Sequence, residues 1–260
     1  MRIYCDSHVH CYDFSTFDRL LDSAYQNLFT QSELDQQNDP SARTTKFLLF
    51  FTDGRIDKTW SKIQDRLKQA ESLNQWSLNY DQASGLVTAT HGQRHLLLAP
   101  ARQIISAEKL EFLLLGCDSE ISDGTPASQL ISDHQQFAVI CPWGVGKWLG
   151  ARGKLVSKLV SQFKEKIFLG DNGSRPAIWF FVPQFKQSSN SIINGSDPLP
   201  IKGEVSRIGR FGVRFDIQND KVYLASLIEN IKSPQVTKHN FGQLMGLIPF
   251  ILTRWHLARS

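Results

Sequence analysis

The chain alternates short, wholly apolar runs with longer stretches in which apolar residues recur every three or four positions. The first run, Ile3-Tyr4-Cys5, predicts a strand that leads directly into Asp6-Ser7-His8-Val9-His10. Phe14, Phe17, Leu20, Leu21, Ala24, Tyr25 and Leu28 then share one helical face, with Asp13 or Ser15 available as a cap. The polar stretch Gln31 to Arg43, containing Asn38-Asp39-Pro40, reads as a loop. Phe47-Leu48-Leu49-Phe50-Phe51 is apolar throughout, as a strand buried on both faces requires, and it stops at Thr52-Asp53-Gly54. A helix is predicted from Thr59 to Leu73. Strands follow at Gly85 to His91 and His95 to Ala99, joined as a hairpin by Gly92-Gln93-Arg94, and at Leu110 to Leu115. Ala127 to Gln135 and Leu155 to Lys166 read as helices, with Phe137 to Cys141 extended between them. Ile167 to Gly170, Ala177 to Val182 and Ser191 to Asn194 read as extended, and Tyr223 to Ile231 and Phe241 to Ala258 as helices. This alternation predicts an α/β fold with a mainly parallel sheet. No Gly-x-Gly-x-x-Gly follows the first strand, so a nucleotide-binding doubly wound fold is not supported. No repeat or long linker divides the chain, and one domain over residues 1–260 is expected.

Polar chemistry collects where the predicted strands end. Residues two apart in a strand point to the same face, so His8 and His10 would present two imidazoles side by side, as a divalent cation requires. Read as structure alone, they are a surface pair. Asp53 either takes part in a site or caps the next helix. Cys141-Pro142-Trp143-Gly144-Val145-Gly146-Lys147-Trp148 closes another strand, and Cys141 is either a soft ligand or a small apolar core residue. This loop lacks the Gly-Lys-Ser/Thr ending of a phosphate-binding loop. Asp197, in Gly195-Ser196-Asp197-Pro198, is either a ligand or a turn start. Lys147, Arg152, Arg175, Arg207 and Arg210 lie in or near these loops. Gathered at one mouth, they would favour an anionic, possibly phosphorylated substrate.

Composition adds bounds. Hydrophobic residues make up 41% and charged residues 21%, ordinary for a folded globular chain. A net charge of +4 is too mild to imply nucleic acid and suits an anionic small molecule equally well. The four Cys have neither zinc-ribbon spacing nor a disulfide pattern, so reduced thiols and a cytoplasmic location are expected. Asp6, His8 and His10 do not read as part of a signal peptide. Leu244 to Leu252, interrupted by Pro249, is too short for a transmembrane span and reads as a buried or docking helix.

The order of these motifs resembles the PHP (polymerase and histidinol phosphatase) domain family. Asp6-x-His8-x-His10 matches its opening, Thr52-Asp53-Gly54 its Thr-Asp-His, and Ala101-Arg102-Gln103-Ile104 its Gly-x-Glu-Ile. Cys141-Pro142 matches its His-Pro, and Ser196-Asp197-Pro198-Leu199 its Ser-Asp-x-His. The resemblance implies a distorted seven-stranded (β/α) barrel, TIM-barrel-like, with metal at the carboxyl ends of the strands. Gly54, Gln103, Cys141 and Leu199 replace four of the family's ligands, which implies fewer than three ions of zinc, manganese or iron. His8, His10 and Asp197 would hold the metal, with Cys141 as a further candidate. Asp6 or Asp53 would orient a ligand or take a proton, and Lys147, Arg175 or Arg210 would neutralise developing charge. The resulting expectation is a metal-dependent hydrolase acting on a phosphate ester. Two alternatives stand beside it: a catalytically degenerate PHP-like binding or regulatory protein, and an amidohydrolase-like enzyme cleaving C–N bonds.

Overall fold

The computed structural model describes residues 1–39, 44–69, 73–187, 192–201, 203–218 and 221–257. Its first elements are β1 (Arg2–Val9), α1 (Phe17–Asn38), β2 (Thr45–Asp53), α2 (Thr59–Gln69), β3 (Ser77–Asp81), β4 (Leu86–His91), β5 (Arg94–Ile105) and β6 (Glu111–Leu115). There follow α3 (Ala127–Asp133), β7 (Ala138–Pro142), α4 (Gly150–Phe163), β8 (Phe168–Asn172), α5 (Pro183–Gln187) and β9 (Ile192–Gly195). The last are β10 (Gly212–Asp216), α6 (Leu224–Lys232), β11 (Lys238–Phe241) and α7 (Leu247–Leu257).

One 11-stranded sheet curls into a nearly closed barrel in the order β11-β10-β1-β2-β5-β6-β7-β8-β9, with β3 and β4 added beside β5. The expectation of seven strands in a mainly parallel sheet is corrected. Pairs β1–β2, β2–β5, β7–β8 and β8–β9 are parallel, but β6 runs antiparallel to both its neighbours, as β10 does to β1 and β11. The hairpin predicted across Gly92 is the antiparallel β4–β5 pair. Beyond β9 the barrel closes by individual hydrogen bonds. Ser7 Oγ donates to Asn194 O (2.9 Å), Asp197 N to His8 O (2.9 Å) and Ser196 N to Asp6 Oδ1 (2.8 Å).

Three apolar layers hold this shape. Ile3, Cys5, Leu48, Phe50, Ala99, Leu113, Ile140, Ile193 and Val213 fill the barrel, and Leu227, Ile228 and Ile231 of α6 pack against them. Outside, Tyr4, Phe47, Leu49 and Leu98 pack with α1 and α2, and Leu114, Val139, Cys141 and Leu169 pack with α3 and α4. The strict alternation along β2, with even positions inside and odd positions outside, explains why its whole run is apolar.

Several local expectations are corrected. Residues 31–38 continue α1, because Leu28 and Ser32 bury against the sheet; 40–43 lie outside the described residues. Ala177–Val182 forms no strand; a single bridge joins Pro176 to Met245. The stretch read as one helix from Phe241 begins as the end of β11, and α7 starts only at Leu247; Ala258 lies outside the described residues, as do 70–72 and Ser191. β3 and β11 fall in segments rich in charge and Asn, where apolar alternation is weak, and β10 is only five residues long.

Candidate metal centre

The carboxyl ends of β1, β2, β5, β7, β8 and β9 open at one end of the barrel, and an irregularity in β1 decides what β1 presents there. Asp6 pairs with Leu49 and Val9 with Phe51, so β1 advances three residues while β2 advances two. Such a bulge inverts the face on which side chains fall. Before it, Ile3 and Cys5 point into the barrel and Tyr4 outward; after it, Val9 packs outward with α1. His8 and His10 therefore turn into the mouth.

There the two imidazoles meet Nε2 to Nε2 at 2.9 Å, with ring centroids 4.8 Å apart. Asp197 completes the group, its Oδ1 lying 3.7 Å from His8 Nε2. Among the described residues these three form a set whose ligand atoms all lie within 4.8 Å of one another. Asp197 adopts a left-handed backbone (φ 45°), a conformation Asp tolerates better than most residues. Its amide bond to His8 O holds it there, and Asn172 Nδ2 donates to its Oδ2 at 3.0 Å.

The surroundings prepare the donors. Asp57 Oδ2 lies 3.1 Å from His10 Nδ1 and also accepts from Cys11 N and Thr59 Oγ1. Placing the proton on Nδ1 of His10 leaves its Nε2 lone pair facing the group. Burial opposes the Asp57 charge, but His10, Thr59 and the Cys11 amide together hold its carboxyl below the usual range. Burial, reinforced by the charge of His10, keeps His8 well below the ordinary imidazole value, so it offers a neutral nitrogen. Burial likewise pushes the pKa of His10 down, but Asp57, Asp197 and Glu111 outweigh it and hold that pKa above the ordinary imidazole value. Two imidazole nitrogens and a carboxylate oxygen, converging on one point and backed by a carboxylate, fit a divalent cation with an open position.

The remaining predicted residues are placed as follows. Asp6 precedes the bulge and faces away from His8; it accepts from Ser196 N, Gly209 N and His8 N, and burial raises its pKa to about 6. Asp53 accepts from Trp60 N, Ser61 N and Ser61 Oγ, which makes it the cap of α2. Cys141 packs outward with Val139 and Leu169, and burial pushes its thiol far up. Arg175 is taken up by a bidentate pair with Asp171 (2.7 and 2.6 Å). Arg210 Nε reaches Asn27 Oδ1 on α1 at 3.3 Å, outside the barrel. Lys147 pairs with Glu111 at the mouth. Gly54 and Gln103, the two positions aligned with a His and a Glu of the PHP pattern, are neighbours: a Cβ on Gly54 would lie 3.7 Å from Gln103 Oε1.

Sequence reasoning passed over Asp57, Glu111, Asn172 and Tyr12, which stacks on His10 at 5.4 Å. Asp57-x-Thr59 before a helix has the form of a local turn, and nothing in its spacing points to His10, 47 residues away. Beside His10, a cleft of about 910 Å³ is lined by Tyr12, Arg19, Leu199 and Ile201 among others.

No family model matches the chain, and no curated protein matches it. Solved structures do. PsfC from Pseudomonas syringae PB-5123 is similar over 99% of this chain and 98% of its own, with 14% identity and a TM-score of 0.58. The lesion-specific endonuclease PfuEndoQ from Pyrococcus furiosus aligns with 93% of this chain at 14% identity and a TM-score of 0.52; the chain spans 59% of its length. Endonuclease Q in complex with a 27-mer duplex substrate carrying an abasic lesion at the active site aligns with 98% of this chain, which spans 67% of it, at 14% identity and a TM-score of 0.50. What this chain shares with them is the barrel-like α/β fold, over nearly its whole length.

Proposed function

We propose that this chain is a divergent, PHP-like metal-dependent hydrolase acting on a phosphate ester. The convergence of His8, His10 and Asp197 at the barrel mouth carries the reading. The fold shared with endonuclease Q supports it, because an endonuclease breaks a phosphate ester.

His8, His10 and Asp197 would hold the ion, zinc, manganese or iron. A divalent ion on these donors supplies Lewis acidity to a phosphoryl oxygen and lowers the pKa of water. Asp57 fixes the tautomer of His10, Asn172 holds Asp197, and Lys147 brings a positive charge toward an anionic substrate. Arg175 is committed to Asp171, while Arg210 Nε bonds Asn27 on α1. The cleft beside His10 has the volume of a small-molecule site, which favours a phosphorylated small molecule over a nucleic acid strand.

Elemental analysis of wild type and His8→Ala/His10→Ala, followed by hydrolysis of p-nitrophenyl phosphate and bis-p-nitrophenyl phosphate, tests this. Near-stoichiometric metal and turnover, both lost in the variant, are expected. Undiminished turnover in a folded variant refutes the reading. The neutral Gly54–Gln103 neighbourhood favours a second reading, a binding protein on the same barrel, whose signature is metal uptake without turnover of either ester.

A further inference from the structure

Beside the metal centre lies a charged pair that three polar donors do not require. Glu111 is the first residue of β6 and sits opposite Ile105 of β5, so it shares a face with Gln103, one pleat further in. Gln103 in turn lies beside Gly54 at the end of β2. Lys147 reaches Glu111 from the loop after β7. It does so by folding its stem over its own turn, in which Lys147 N donates to Gly144 O at 2.9 Å. The stem passes over the bare Cα of Gly144, where a Cβ would lie 2.5 Å from Lys147 Cδ. In this arrangement the ammonium returns to Glu111 at the mouth. An ordinary surface lysine would extend into water.

With both imidazoles neutral as ligands, the charges paired with them and with each other at the mouth are the carboxylates of Asp57, Asp197 and Glu111 and the ammonium of Lys147. Three negative groups against one positive group leave a deficit that one divalent ion cancels. A second divalent ion would leave the mouth as positive as it was negative, with Lys147 directly opposing its entry. We propose that Lys147, paired with Glu111, is a built-in cation that takes the charge position of a second divalent ion and so restricts the centre to one. The inference rests on the metal centre proposed above.

Titration of the intact protein with Mn²⁺, following the free ion by electron paramagnetic resonance, tests it. Wild type is expected to take up one equivalent, absent in His8→Ala/His10→Ala. Lys147→Met, which keeps the stem, and Lys147→Gln are each expected to take up two. The second equivalent is expected to disappear again in Lys147→Met/Glu111→Gln. The side chain of Lys147 is 38% exposed, so these variants leave the core intact, and melting curves verify it. One equivalent in both single variants overturns the inference alone, as does a second equivalent that survives the double variant, or two equivalents in wild type. A wild type that binds none overturns the metal centre itself and this inference with it.

Discussion

Gly195→Ala puts the closure of the barrel to the test. Gly195 is the last residue of β9, where the sheet meets β1, and its φ is not left-handed, so alanine meets no conformational obstacle there. The obstacle is room. A Cβ would lie 2.7 Å from His8 Cβ, 2.8 Å from His8 N and 2.8 Å from Ser7 Oγ, where ordinary contact begins near 3.4 Å. Two of these three atoms are fixed by the β1 backbone, so β9 must retreat by several tenths of an ångström. Overpacking of this kind costs about 1–3 kcal/mol. The retreat also stretches the bonds from Ser7, Ser196 and Asp197 that close the seam, each worth about 1 kcal/mol net. Taking about 3 kcal/mol in all, at roughly 2–4 °C per kcal/mol for a chain of this size, the melting temperature falls by about 6–12 °C. Gly54→Ala is the matched control: its φ is also not left-handed, and its Cβ would find its nearest neighbour at 3.7 Å. Thermal unfolding followed by circular dichroism reads both. If Gly195→Ala melts within about 1 °C of wild type, as the control is expected to, the seam is not close-packed and the closure argument fails.

Two further predictions concern polar groups. Asp57→Asn keeps an acceptor for Cys11 N but removes the charge behind His10, and metal affinity measured by titration should drop by about 10–100-fold with circular dichroism unchanged; equal affinity would show that His10 is oriented without Asp57. Arg175→Ala strands a buried Asp171 carboxylate and should lower unfolding stability in urea by about 3–5 kcal/mol, with much of it recovered in Arg175→Met/Asp171→Asn; an Arg175→Ala variant of normal stability would return Arg175 to the list of groups free to meet a substrate.

How much of this was legible in the sequence depended on the range of the interactions. Phe47 to Phe51 declared a doubly buried strand because both its faces meet apolar layers, and the information lies within five residues. His8 and His10 were legible for the same reason: two residues apart, one element. Asp197 could be placed with them only through an ordered set of motifs, because the bond from its amide to His8 O spans the length of the barrel circuit. Asp57 was hidden by a local role, since its contacts with Thr59 are what any turn before a helix displays. The sequence reading assigned Arg175 to the mouth because a cation in a strand-end loop looks available; only the structure shows Asp171, four residues back, engaging two of its three guanidinium nitrogens and Trp179 O the third. β10 and β11 escaped notice because each is only four or five residues long and lies among charged and polar residues.

The bulge in β1 behaves like a frame shift written in space. Upstream of it the barrel interior reads the odd residues of the strand, and downstream it reads the even ones. A single deletion at Ser7 would restore one parity along the whole strand and leave both histidines in the mouth, whereas straightening the strand with Ser7 retained would send both toward α1 and Val9 into the mouth, without altering the identity of any ligand. The metal-ligating pattern Asp-x-His-x-His therefore has meaning only together with the miscount that precedes it. A chain carrying the same five letters on a regular strand would hold its imidazoles on the wrong side of the wall.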